Sequence, residues 1–98
     1  MKKTLEIGKM YKTPWKVTAY GSMNIISDSE DVTFDYFNHI LIPDGASVVL
    51  LEIKMIRRRL YTSSNFANVY LLKILTEEGE VRYIEATQAG MDYWKAAY

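Results

Sequence analysis

Apolar and polar residues alternate in several short segments of this chain, and such alternation is typical of β-strands with one buried face. The first clear case places Trp15, Val17 and Ala19 on one face, with polar residues between them. Because Pro14 has no backbone N–H to donate, we expect this strand to lie at a sheet edge or to carry a bulge.

A second segment, residues 69–85, has the pattern of a β-hairpin. Residues 69–75 are apolar apart from one lysine, which fits a central strand. The turn that follows contains Gly79, which accepts the positive φ that tight turns require, and alternation then resumes. We expect this hairpin to supply core side chains, with Leu72 and Ile74 fully buried.

Residues 46–59 fit either of two structures. As a strand, they turn four apolar side chains toward the core, namely Val49, Leu51, Ile53 and Met55. As a helix, they share one apolar face from Val49 to Leu60. The β-branched residues and the preceding turn at Pro43-Asp44-Gly45 favour the strand. The alternative, with 46–60 helical, predicts an α+β fold.

The remaining segments are shorter and less regular. Residues 21–44 predict a long excursion with a polar tip, a short strand near Val32 and a return at 40–42. Near the C-terminus, Asp92 is a candidate cap for a short helical turn that packs Trp94 against the sheet.

Together these segments predict one domain over residues 1–98, mainly β, built as a small barrel of five or six strands with a short C-terminal helical turn. The chain of 98 residues allows one core, and its 13% aromatic content supplies large side chains for it. We expect both Trp15 and Trp94 to be buried.

The order of these elements supports a family resemblance. The turn 43–45, the apolar strand 69–75, the turn at Gly79 and the strand Val81-Arg82-Tyr83-Ile84 together resemble the bacterial Src-homology-3-like small barrel. The resemblance covers residues 43–95 and implies the barrel fold. Tyr83-Ile84 replaces the Gly-Trp-Val common in that family, so its peptide groove is not carried over. Compact barrels of this kind are also similar to small accessory proteins of bacterial viruses.

Composition narrows the possible chemistry. The chain has no cysteine, which excludes disulfides, thiolate metal sites and cysteine nucleophiles. It has a single histidine, His39. The acidic segment does not have the spacing of a calcium-binding loop, and no phosphate-binding glycine motif occurs. We therefore expect no enzyme activity, no cofactor and no metal site. No apolar run is long enough for a membrane span or an export signal, so we expect a cytoplasmic protein.

Charge is balanced overall but segregated along the chain. Lysine plus arginine and aspartate plus glutamate each number 12. Basic residues dominate 1–20 and 54–75, whereas acidic residues dominate 21–53 and 76–98. Opposite blocks either neutralise one another within the fold or join copies of the chain to each other.

The basic cluster is the first candidate for partner binding. Three consecutive arginines are followed closely by aromatic residues, the set being Arg57, Arg58, Arg59, Tyr61 and Phe66. Arginines neutralise phosphates and aromatic rings stack on bases, so the cluster is a candidate site for single-stranded nucleic acid. An acidic protein partner is a second interpretation, and a solvated strand end that prevents aggregation is a third.

The acidic excursion is the second candidate. It combines carboxylates with two adjacent aromatic residues, the set being Glu30, Asp31, Asp35, Tyr36 and Phe37. The aromatic pair either plugs the mouth of the barrel or anchors a protein partner. From both clusters we expect non-enzymatic binding of a protein or of another copy of the chain. Binding of single-stranded nucleic acid is the alternative.

Overall fold

The computed structural model describes residues 5–25, 32–59 and 66–96. Within these ranges the chain forms nine strands and one short helix. In chain order they are β1 (Met10–Lys12), β2 (Val17–Tyr20), β3 (Met23–Ile25), β4 (Val32–Phe34), β5 (His39–Ile42), β6 (Ser47–Arg59), β7 (Phe66–Leu75), β8 (Val81–Thr87), α1 (Gln88–Met91) and β9 (Lys95–Ala96).

Seven of these strands form one antiparallel sheet with the order β5-β2-β8-β7-β6-β1-β9, which curls into a half-barrel. The other two, β3 and β4, form a separate hairpin. The prediction of a mainly β domain with a short C-terminal helix is therefore confirmed. The described residues contain nine strands where five or six were predicted, because the short strands β1, β3 and β9 carry no clear alternation.

Residues 47–59 form a strand, so the alternative of a helix over 46–60 is wrong for this segment. β6 pairs along most of its length with β7. The turn before it, at residues 43–45, is also confirmed, because Ala46 N–H donates to the Pro43 carbonyl oxygen at 3.2 Å. Gly45 has a φ of +78°, which a glycine adopts without strain.

A β-bulge divides β6 into two halves, and the alternation of inward and outward side chains is reversed between them. The register shifts between Leu50 and Glu52, so Leu51 is an extra residue without a partner on β7. Before the bulge, Val48 and Leu50 point into the half-barrel, and after it Ile53 does. A bulge of one residue reverses the alternation that follows it. The predicted uninterrupted core face that includes Met55 is therefore wrong, and the Met55 side chain is exposed.

The central strand β7 is covered on both faces, which explains its continuous apolar sequence. Leu72 and Ile74 lie inside the half-barrel and are fully buried, as predicted. Val69 and Leu71 lie on the outer face, in a second cluster that also contains residues of the β3–β4 hairpin. The inner core consists of Leu5, Tyr11, Val17, Ala19, Ile42, Val48, Leu50, Leu72, Ile74, Ile84, Met91 and Trp94.

β2 differs from its prediction in position and extent. Val17 and Ala19 are buried as expected, but Pro14 and Trp15 precede the strand. Since β2 lies between β5 and β8, it is not an edge strand. Trp15 is 46% exposed, so its predicted burial is wrong.

The C-terminal segment closes one end of the inner core. Thr87 caps α1, because its Oγ1 accepts a hydrogen bond from Gly90 N–H at 3.0 Å. Asp92 lies at the C-terminal end of the helix, so its predicted role as an N-cap is wrong. Trp94 is 2% exposed and packs in the core, as predicted.

Candidate functional site

Residues 35–39, which join β4 to β5 and include the first residue of β5, form a compact turn that we call the aromatic turn. Phe37 N–H donates to Asp35 Oδ1 at 3.2 Å, and Asn38 N–H donates to the Asp35 carbonyl oxygen at 3.2 Å. His39 Nδ1 donates to the carbonyl oxygen of Tyr36 at 2.7 Å, which assigns the proton to Nδ1. These bonds determine the path of the backbone through the turn.

Asn38 attaches the aromatic turn to the sheet. Its carbonyl oxygen accepts from Gly21 N–H at 2.7 Å, and Gly21 leaves room because a Cβ there would overlap the Asn38 carboxamide. Arg82, on β8, donates from Nη1 to the carbonyl oxygen and to Oδ1 of Asn38, and from Nη2 to Glu80 Oε2 at 2.7 Å. The turn is thus held by Gly21, which follows β2, and by Arg82 on β8, and both are distant from it in sequence.

A cluster of aromatic rings packs against the aromatic turn. Tyr20 stacks on Phe34 with centroids 4.5 Å apart and meets Tyr36 edge-on at 5.5 Å. Burial raises the pKa of Tyr20 above its ordinary value, with smaller contributions from the neighbouring Tyr36 and Glu85. Such edge and stacked contacts stabilise aromatic clusters beyond simple area burial.

Phe37 is completely exposed, at 102% of its reference accessibility, and Tyr36 is also exposed. The interpretation of this pair as a plug of the barrel mouth is therefore wrong. Surface apolar residues that occur singly are common, but here Phe37 stands on a turn held by several hydrogen bonds, and exposed Leu41 follows four residues later. The aromatic turn therefore exposes a large apolar side chain to solvent.

A cleft of about 170 Å³, lined by both apolar and polar side chains, begins beside the aromatic turn. Its lining includes Ile40, Leu41, Pro43 and Val48. The rim carries Glu77, Glu78 and Glu80. Glu77 Oε1 accepts from Ser47 N–H at 2.9 Å and Glu80 is paired with Arg82, so these two carboxylates are engaged in protein contacts.

The other predicted residues are distributed as follows. Arg57 is exposed on β6 and pairs in register with Asn68 of β7. Arg58 and Arg59 continue β6 opposite Ala67 and Phe66. Glu30, Asp31 and Tyr61 lie outside the described residues. Nucleic-acid binding at the arginine cluster stays a prediction.

Two residues at the centre of this arrangement were not predicted. Arg82 is only 8% exposed, although its position in an alternating strand gave no sign of burial. Thr13 is buried at the β5–β6 turn, where its Oγ1 donates to the Pro43 carbonyl oxygen at 2.7 Å and accepts from Ala46 N–H at 3.1 Å. A single Arg or Thr in a short sequence carries no signal that it will be buried.

In the part of the chain that the structure describes, no cluster of three or more His, Asp or Glu residues is arranged to hold a metal ion. No helix in the same ranges is both long and apolar enough to cross a membrane. Comparison of the chain with protein families, with curated proteins and with solved structures finds no match.

Proposed function

We propose that this chain is a non-enzymatic binding protein that uses its aromatic turn to dock on a protein, and that a second copy of the chain is the first candidate for that partner. The complete exposure of Phe37 on a turn held by hydrogen bonds supports the proposal best. Full burial of a phenylalanine side chain contributes about 1.5–3 kcal/mol. A preformed turn lowers the entropy cost of binding, which is about 0.5–1.5 kcal/mol for each side chain that must be immobilised.

The cleft beside the aromatic turn supports self-association. It begins at Ile40, three residues after Phe37, and one side of its lining is formed by the apolar side chains of residues 40–43. In a twofold dimer each contact occurs twice, so Phe37 of each copy would enter the cleft of the other. Two identical contacts formed by neighbouring segments match the geometry of an isologous interface.

Complementation between two variants tests the proposal. Phe37→Ser removes the inserted side chain, and Leu41→Glu places a charge at the cleft, so each variant alone should be monomeric in sedimentation velocity. In an equimolar mixture, Phe37 of the Leu41→Glu variant can still enter the intact cleft of the Phe37→Ser variant, so part of the association should be recovered. A variant that carries both substitutions should stay monomeric. Val81→Ser, which removes a different exposed apolar side chain, is the matched control and should behave as wild type.

A photo-crosslinking experiment identifies a partner other than the chain itself. p-Benzoylphenylalanine at position 37 should give a specific adduct in the cells that naturally contain the protein, and the same label at position 81 should not. Adducts of equal yield at both positions, together with a monomeric wild-type protein, would rule out the aromatic turn as a docking site.

A further inference from the structure

Two lysines lie directly opposite each other where β1 pairs with β9. The register places Lys12 against Lys95, and both side chains are exposed. Directly opposed side chains in antiparallel strands are about 4.5–5.5 Å apart at Cβ, and like charges at this distance destabilise the pair. Within the described ranges neither lysine forms an ion pair. A bound anion between the two ammonium groups would relieve their repulsion.

Two exposed aromatic rings lie beside this lysine pair. Tyr93, two residues before Lys95, is 63% exposed, and its ring centroid is 5.7 Å from that of Trp15 at an interplanar angle of 54°. The Trp15 ring passes close to Gly90, where a Cβ would come within 3.5 Å of it. Both rings are therefore placed by the fold while much of their surface remains open to solvent.

A third lysine and two clefts extend the same surface. Lys16 follows Trp15, and both line a cleft of about 280 Å³. Lys12, Tyr93 and Lys95 line a second cleft of about 270 Å³. In the first cleft Lys16 is matched by one carboxylate, Glu85. In the second cleft the two lysines outnumber the single carboxylate, Asp44.

We propose that this surface, the lysine–aromatic patch of Lys12, Trp15, Lys16, Tyr93 and Lys95, binds single-stranded nucleic acid. Ammonium groups attract the phosphate backbone, and exposed aromatic rings stack on unpaired bases. Duplexes bury those base faces, so a single strand fits the two rings better. An acidic peptide would satisfy the lysines but would have no use for the open rings. The patch shares no residue with the aromatic turn or with the arginine cluster, so its test is independent of the proposed protein contact.

Fluorescence anisotropy with a labelled oligothymidylate tests the proposal, with a length of about 12 nucleotides to match the site sizes of single-strand binders. Loss of one stacked base should weaken binding roughly 5- to 150-fold, so Trp15→Ala and Tyr93→Ala should each lie in this range. Trp15→Phe should retain most of the affinity. Lys12→Gln and Lys95→Gln should each reduce the slope of log affinity against log salt by about 0.7.

Stability measurements separate this role from a structural one. Lys95→Gln removes the repulsion from Lys12, so it should raise the thermal unfolding midpoint while it weakens binding. A folding defect would move both quantities in the same direction. Lys54→Gln, which removes an exposed lysine on β6, is the charge-matched control and should leave the salt slope unchanged.

Three results would overturn the proposal. The first is no anisotropy change up to roughly 100 µM protein at low salt, since even non-specific binding is usually detectable there. The second is an equal loss with Lys54→Gln and Lys95→Gln, which would mean a diffuse charge effect. The third is full competition by polyglutamate combined with normal binding by Tyr93→Ala, which would identify an acidic-protein site. Because Tyr93 is more exposed than Trp15, its variant tests stacking even if Trp15→Ala does not fold.

Discussion

Arg82 Nη1 donates hydrogen bonds to two atoms of Asn38, the backbone carbonyl oxygen at 3.3 Å and the side-chain Oδ1 at 3.1 Å. The guanidinium is nearly buried, and its Nε has no hydrogen-bond partner among the described residues. A buried charge with one unpaired donor depends strongly on its remaining partners. The position of the aromatic turn and the burial of Arg82 are therefore coupled.

A double-mutant cycle measures this coupling. In Gly21→Ala the new Cβ displaces the Asn38 carboxamide from Arg82, and we expect a loss of about 1–3 kcal/mol in the free energy of unfolding. In an Asn38→Ala background the carboxamide is gone, so the same substitution should be nearly neutral or even stabilising, as a compatible Gly→Ala change is. Urea denaturation of the four proteins gives the result. Strictly additive costs would show that the Gly21 substitution acts elsewhere.

Truncation of core side chains compares the two apolar clusters. Leu72→Ala and Ile74→Ala should each cost about 2–5 kcal/mol, because both side chains are fully buried inside the half-barrel. Leu71→Ala should cost a similar amount, since its side chain is buried on the outer face in the cluster that includes the β3–β4 hairpin. His39→Ala should cost much less, at most about 0.5–1.5 kcal/mol, because His39 is exposed and its side chain contributes one hydrogen bond to the turn. Chemical denaturation tests all four, and a tolerant Leu71→Ala would mean that the outer cluster is not a core in solution.

The sequence predicted the parts of the fold that follow from local pattern. The apolar run containing Leu72 and the positive-φ turn at Gly79 specify the central hairpin, and both are confirmed. The bulge at Leu51 could not be found, because it depends on pairing with a strand distant in sequence. The aromatic turn could not be predicted for the same reason, because it is held by hydrogen bonds from Arg82 on β8, which is distant in sequence.

The aromatic cluster predicts a loss of stability at high pH. Burial raises the pKa of folded Tyr20 above the ordinary value of 10.0, so the folded state favours the neutral phenol. As the pH rises above about 10, the unfolded chain loses this proton first, and stability should fall until the folded group also ionises. Tyr20→Phe should flatten that part of the profile. Urea midpoints measured across this pH range test the sign, and an equally steep fall in Tyr20→Phe would assign the effect to other groups.

The two tryptophans should report different environments. Trp15 is 46% exposed and Trp94 is 2% exposed. The variant Trp94→Phe, which retains only Trp15, should therefore emit at longer wavelength and be quenched more strongly by acrylamide than Trp15→Phe. Circular dichroism of each variant supplies the control for folding. Equal quenching of the two folded variants would contradict the placement of Trp15 outside the core.

Salt dependence distinguishes an aromatic interface from one held by opposite charges. The sequence pI is about 6.6, so the protein is close to neutral at physiological pH and has little net repulsion between copies. Between 0.1 and 1 M salt the Debye length falls from about 10 Å to about 3 Å, so a dimer that joins Arg57 and Arg59 to the acidic residues Glu30 and Asp31 should dissociate.

An interface at Phe37 should instead persist, because burial of apolar surface does not depend on charge. We expect sedimentation velocity to show a dimer that survives 1 M salt, is lost in Phe37→Ser and is unaffected by Arg57→Glu. A dimer with the opposite pattern would assign the interface to the charged segments, and a monomer throughout the micromolar range would exclude self-association and leave a different protein as the partner of the aromatic turn.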